Sequence, residues 1–199
     1  MTDPLFDYLA PENHVEKRAG ISATLKAQLH EPLDANTQYH GEAAFWLQIH
    51  QGLLRTSATL PNWCEQFLAE KTTDRLYLMA PRICNLATQL VQHAHGHHHI
   101  EDDHFFPVFL RAFPQLANPI DLLEKDHEIL SVVLDDIENA TKELSHVSQN
   151  ATSQITTAEK SDLFTKTEQL QKAASSLDRL FIRHIGDEEE ICLPTLMRM

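Results

Sequence analysis

The sequence has little of what sheet proteins and secreted proteins need. Glycine supplies 5 of 199 residues, too few for the frequent tight turns of a sheet-rich chain. Three cysteines, Cys64, Cys84 and Cys192, lie far apart and form no CxxC pair. That scattered, odd set excludes a disulfide framework and fits a reducing compartment. Positive charge is also scarce. Lys and Arg number 16 against 29 Asp and Glu, a net charge of −13, which argues against nucleic acid and anionic membranes as partners. No run approaches the ~18–20 apolar residues of a membrane span. The opening residues Met1 to Asp7 lack the basic start and apolar stretch of a signal peptide. A cytoplasmic location is the expectation.

What is present is helical. Leu, Ala, Glu, Gln and Lys dominate long periodic stretches, and the length suits a single domain with a sizeable core. Residues 1–36 form an expected N-terminal extension, with an amphipathic helix around Val15 to Leu29, packed on a main body of residues 37–199. Four longer helical stretches follow. The first runs from Thr37 to Ser57 with Phe45, Trp46, Ile49, Leu53 and Leu54 as its apolar stripe, ends before Pro61, and is bridged onward by a short helix at Trp63 to Ala69. The second begins near Pro81 and reaches Phe113, with Pro107 as an internal kink. The third spans Pro119 to Leu144, Ser145 to Thr157 reads as a loop, and the fourth runs from Ala158 to the C-terminus.

Histidine is abundant, at 13 residues, and it belongs to a pattern that occurs twice. His97-His-His-Ile-Glu101-Asp-Asp-His-Phe-Phe-Pro107 returns, shifted by 87 residues, as His184-Ile-Gly-Asp-Glu188-Glu-Glu-Ile-Cys-Leu-Pro194. Each copy has a His four residues before a Glu, two further acids, and a Pro six residues after the Glu. Positions i and i+4 share one helix face, so each copy aims an imidazole and a carboxylate at one point. A weaker repeat, shifted by 77 residues, places His50 on His127 and Leu53 on Leu130. Each half is then a helix with one inward His followed by a helix with His-x3-Glu. Two such αα-hairpins make an all-α, antiparallel four-helix bundle, a fold that builds metal sites from facing helices.

The candidate metal ligands are His50, His97, Glu101, His127, His184 and Glu188. Four neutral imidazoles and two carboxylates suit borderline divalent ions, above all iron, then manganese or zinc. Carboxylates on opposed helices can bridge two ions and leave positions open for dioxygen, nitric oxide, peroxide or water. Taken singly, His50 or His127 is an ordinary packed histidine, and each His/Glu pair an ordinary solvated face. The duplication is what favours a shared site.

These segments resemble the hemerythrin-like, or HHE cation-binding, family over roughly Thr37 to Met199. The resemblance implies a non-haem di-iron centre with the same six residues as ligands. Two departures separate the chain from the oxygen-carrying members. Ser131 stands four residues after His127 where they place a His, and His184-x3-Glu188 replaces their His-x4-Asp. The expected function is therefore binding of two irons and sensing or handling of O2, NO or peroxide, not reversible oxygen carriage. The rivals are a ferritin-like oxidase, which the order His-x-x-x-Glu disfavours because that fold uses Glu-x-x-His, and a metal-stabilised interaction module.

Neighbouring residues get plainer readings. Asp102, Asp103, Glu189 and Glu190 face solvent or stand behind the ligands. His98 and His99 point off the site axis, and His14, His30, His40 and His146 lie at the surface. Cys192 is a buried apolar residue. His93 and His104 share the His97 stripe and pair in the repeat with Leu180 and Ile191. They are either edge residues or a polar layer and ligand path beside one metal.

Overall fold

Helix starts and stops in this protein are set as much by packing as by local signals. The computed structural model describes residues 41–150 and 156–199, together with Thr24 and Ala27. The expected N-terminal helix at Val15 to Leu29 lies outside the described residues, apart from those two, which are helical and exposed. Four long helices dominate: α1 (Glu42–Ala69), α2 (Thr73–Ile100), α4 (Ala117–Asn150) and α5 (Thr157–Leu196). A π-helical turn (Glu101–Phe105), a short α3 (Phe106–Ala112) and a 3-10 turn (Pro114–Leu116) join α2 to α4. The chain is an all-α four-helix bundle, with no strand among the described residues. In such bundles short connections make successive helices antiparallel neighbours.

Proline proves a weaker stop than its local chemistry implies. The first helix does not end before Pro61, and no separate helix forms at Trp63 to Ala69, because α1 runs unbroken through both. Leu53, Ser57, Leu60, Cys64 and Phe67 are fully buried at helical spacing on both sides of the proline, so packing holds one continuous stripe. The Asn62 side chain, just past the proline, donates to the Ala58 carbonyl at 2.8 Å. Likewise α2 begins at Thr73, ahead of Pro81, since Leu76 and Ala80 are already core residues. The stripe of α1 is also rotated from its expected position. Phe45 is 63% exposed, and Ala43, Trp46 and His50 face inward instead.

The polar stretch after Leu144 stays helical to Asn150. The last helix opens with a reciprocal cap. Thr156 N–H donates to Glu159 Oε2 at 2.7 Å, and Glu159 N–H donates to Thr156 Oγ1 at 3.2 Å. At Pro107 the helix does more than kink. Phe106 N–H bonds the Glu101 carbonyl, closing the wide turn of the π-helix. Pro107 then sits in the first turn of α3, where its missing N–H is least costly.

The chain forms two compact units. One comprises residues up to Gly52 with Gly96–Ile129 and Arg179–Met199; the other comprises Leu53–His95 and Leu130–Asp178. Their interiors differ in chemistry. In the second, the buried polar side chains are Ser57, Thr141, Thr167 and Ser176, hydroxyls that donate to carbonyls of their own helices at 2.6–3.1 Å. The rest is aliphatic and aromatic, including Leu60, Phe67, Leu134 and Leu170. The first unit has an apolar cluster of Trp46, Phe106, Phe109, Leu116, Ile120 and Ile191. It also buries His50, His98, Glu101, Asp126, His127, His184, Asp187 and Glu188.

The cysteines are free and buried, Cys192 included, as an apolar role requires. Burial pushes the Cys64 thiol up to about 12 and the Cys84 thiol up to about 11. Folded protein at pH 8 should therefore react negligibly with an aromatic disulfide reagent, whereas all three thiols should react once it is unfolded. Rapid labelling of any of them in the folded state would contradict this burial.

Candidate metal centre

All six sequence-designated residues belong to the first unit, and the fold brings their side chains together. His50 comes from α1, one turn after Trp46, which meets its ring edge-on at 5.8 Å. His97 and Glu101 come from the end of α2 and the π-helical turn. His127 comes from α4, and His184 and Glu188 from α5. Glu101 and Glu188 are 1% and 0% exposed. Each stands between imidazoles. Glu188 Oε1 is 3.1 Å from His184 Nε2 and 3.6 Å from His127 Nε2, while its Oε2 is 3.5 Å from His50 Nε2. Glu101 Oε1 is 3.2 Å from His97 Nε2 and its Oε2 is 3.6 Å from His127 Nε2. Donor atoms gather in two groups, His50 with His97, Glu101 and Glu188, and His98 with His127 and His184.

Several imidazoles turn their other nitrogen to a second carboxylate. His127 Nδ1 is 2.8 Å from Asp102 Oδ1 and His50 Nδ1 is 3.0 Å from Glu189 Oε1. His184 Nδ1 lies 3.7 Å from Asp126 Oδ2, an ion-pair distance and too long for a direct hydrogen bond. A carboxylate behind an imidazole holds the proton on Nδ1 and leaves the Nε2 lone pair facing the centre. Asp102 and Glu189 thus stand behind ligand candidates, while Asp103 pairs with the exposed His99 at 3.3 Å. His93 and His104 are exposed edge residues. Exposure also fits the surface reading of His146; His14, His30 and His40 lie outside the described residues.

One expectation is overturned. His98 does not point off the site axis. It is 6% exposed, with its ring stacked on His127 at 4.2 Å. Residues three and four before a helical Glu both lie on its face, so His97 and His98 straddle Glu101. The repeat carried the same signal, since His98 pairs with Ile185, which is buried.

Whether the pocket suits a cation can be judged from how its polar atoms are satisfied. Among the described residues, the Nε2 atoms of His50, His97 and His98 and both oxygens of Glu101 and Glu188 are buried and make no well-aligned hydrogen bond, their nearest polar neighbours being the imidazoles and carboxylates of the same cluster. Such groups are normally satisfied, and leaving them unpaired is costly. His127 Nε2 and His184 Nε2 face each other at 3.1 Å, where at most one shared proton can lie between them. Convergent lone pairs and carboxylate oxygens in a buried pocket are what a divalent cation satisfies, so the residues fit one.

The electrostatics carry the same demand. Burial, then the charge of Glu188, holds the Glu101 carboxyl well above the usual carboxylate range. Burial would raise Glu188 as well, but His184, with help from His127 and His50, holds it well below that range. Burial alone would lower His184, yet Glu188 and then Asp126 outweigh it and push the imidazole up to about 10. Burial dominates at His97, which falls to about 3.

Two outcomes follow. Without a cation His184 retains a proton below pH 10, and a cation must displace it. Apparent metal affinity should therefore rise with pH up to about 10, with proton release on binding. Calorimetry in buffers of different ionisation enthalpy measures that release, and pH-independent binding without it would refute the assignment. Asp102→Asn should weaken cation binding by roughly 10–100-fold with little change in stoichiometry, as read by competition with a chelator.

Neither a curated protein nor a solved structure matches the chain. A family does: the hemerythrin HHE cation binding domain matches residues 42–196. That span covers all four long helices and every residue of the two donor groups. The chain belongs to the hemerythrin HHE cation-binding domain family.

Proposed function

We propose that this protein holds two iron ions through His50, His97, Glu101, His127, His184 and Glu188. In this reading it uses them to sense or handle a small ligand or oxidant, namely dioxygen, nitric oxide or peroxide. The observation that carries the reading is the placement of Glu101 and Glu188. Each buried carboxylate has oxygens within 3.6 Å of imidazoles in both donor groups, as a bridge between two cations requires. Bound there, iron would supply a redox-active, Lewis-acidic centre at which a small molecule can bind.

The protein's own groups do the rest. Asp102 and Glu189 fix the tautomers of His127 and His50. Trp46 packs against His50 and His97, and Phe106 lies parallel to His127 at 5.8 Å. These rings give the donor cluster an apolar wall. Ser131, one helical turn after His127, brings no imidazole, and Leu54, the matching position after His50, brings no donor at all. Reversible oxygen carriage is therefore not expected. Buried free thiols suit a reducing, cytoplasmic setting, and no helix among the described residues is long and apolar enough to cross a membrane.

Elemental analysis of freshly isolated protein should approach two irons per chain, ~3.5–4 Å apart by X-ray absorption. Glu101→Ala and Glu188→Ala should each lose metal and melt lower. A reproducible value near one iron would remove the dinuclear reading. The reduced protein should oxidise in air without recovery under vacuum, and a visible spectrum that cycled fully between the two would restore oxygen carriage.

A further inference from the structure

His98 is left over when the six-residue set is accounted for. Its side chain is buried, and its Nε2 has no hydrogen-bond partner among the described residues. A donor atom of His98 lies within 4.8 Å of donor atoms of both His127 and His184. Its ring contacts are with His127 at 4.2 Å, His184 at 5.6 Å, Phe181 at 6.1 Å and His97 at 5.7 Å. Among the described residues, no carboxylate lies within ion-pair distance of either ring nitrogen, unlike His50, His127 and His184. At the equivalent place in the second copy stands Ile185, 2% exposed. An aliphatic side chain thus fills this position adequately, and packing does not require an imidazole.

We propose that His98 is a fifth imidazole donor, which gives the cation position at His127 and His184 three nitrogens while the position at His50 and His97 keeps two. The proposal rests on the dinuclear reading above and makes its two halves unequal. His98 and His127 lie nearly parallel, 16° apart, so bringing both Nε2 atoms onto one ion requires one ring to turn about its side-chain torsions. The backbone positions need not change, because His98 already sits on the face of Glu101. The three-imidazole position fills first and holds its ion more tightly.

The test is a titration of metal-stripped, full-length protein with Co2+, followed by calorimetry and by paramagnetically shifted imidazole N–H resonances. The native sequence should bind two ions in two unequal steps, with five shifted imidazole signals. His98→Ile installs the residue of the second copy. His98→Phe keeps an aromatic face against His127 without a donor nitrogen. Both variants should weaken the first step by at least roughly tenfold, since losing a donor costs no less than losing the partner behind one, and both should show four signals. If His98→Phe keeps the unequal steps and the native signal count, His98 only positions His127 and the proposal fails while the dinuclear reading stands. If the native sequence binds fewer than two ions, the dinuclear reading fails and this proposal with it. Circular dichroism melts of both variants establish that each is folded before titration.

Discussion

Two carboxylates buried in one interior set the terms for the rest of this molecule. Glu101 and Glu188 are almost wholly removed from solvent, where an ionised carboxylate is strongly disfavoured and two side by side more so. The opposed directions of their proton affinities, one raised and one lowered, express that conflict. Imidazoles from α1, α2, α4 and α5 relieve it in part, and a divalent cation relieves it further. The ring packing of Trp46, Phe105 and Phe109 puts apolar groups beside the site, which lowers the local dielectric and strengthens the charge interactions within.

The site is built outward in layers. Imidazole Nε2 atoms face the carboxylate centre, and Asp102, Glu189 and Asp126 stand behind them. Each layer narrows the freedom of the one inside it, so ring orientation does not depend on the cation alone. The other unit shows the contrast. Its buried hydroxyls bond their own helix backbones and ask nothing of a ligand. Its apolar interior, from Leu53 and Leu60 to Leu170 and Leu177, supplies hydrophobic stabilisation with no buried unsatisfied charge among the described residues to offset.

The two copies of the ligand motif did not stay equivalent. After Glu101 the backbone widens into a π-helical turn, while α5 carries the second copy through Pro194 without interruption. The copies also differ beside the shared His. One has a buried histidine, the other a buried isoleucine. A duplicated sequence has thus produced a pocket with unlike halves, which is how a pair of similar positions can acquire different work.

Local periodicity made much of this readable in advance. His-x3-Glu places both groups on one helix face wherever the helix sits, so the pairs at His97 and Glu101 and at His184 and Glu188 needed no tertiary information. Their repetition, with His50 and His127 ahead of them, was enough to propose one shared site in an all-α bundle. Rotation about the helix axis was not readable to the same degree. Phe45 and Trp46 are equally apolar in sequence, yet only Trp46 is buried. His98 and His99 are chemically identical neighbours, and only the first meets His127. Likewise Pro61 and Pro81 carried strong local stop signals that continuous burial overrode. The sequence by itself determined the helical class, the duplicated donor motif and the residues able to bind a cation, because these follow from spacing along one chain. Only the tertiary structure decided which face turned inward, where each helix ended and which histidines joined the centre, because packing energies summed over many neighbours outweigh the propensity of any single residue.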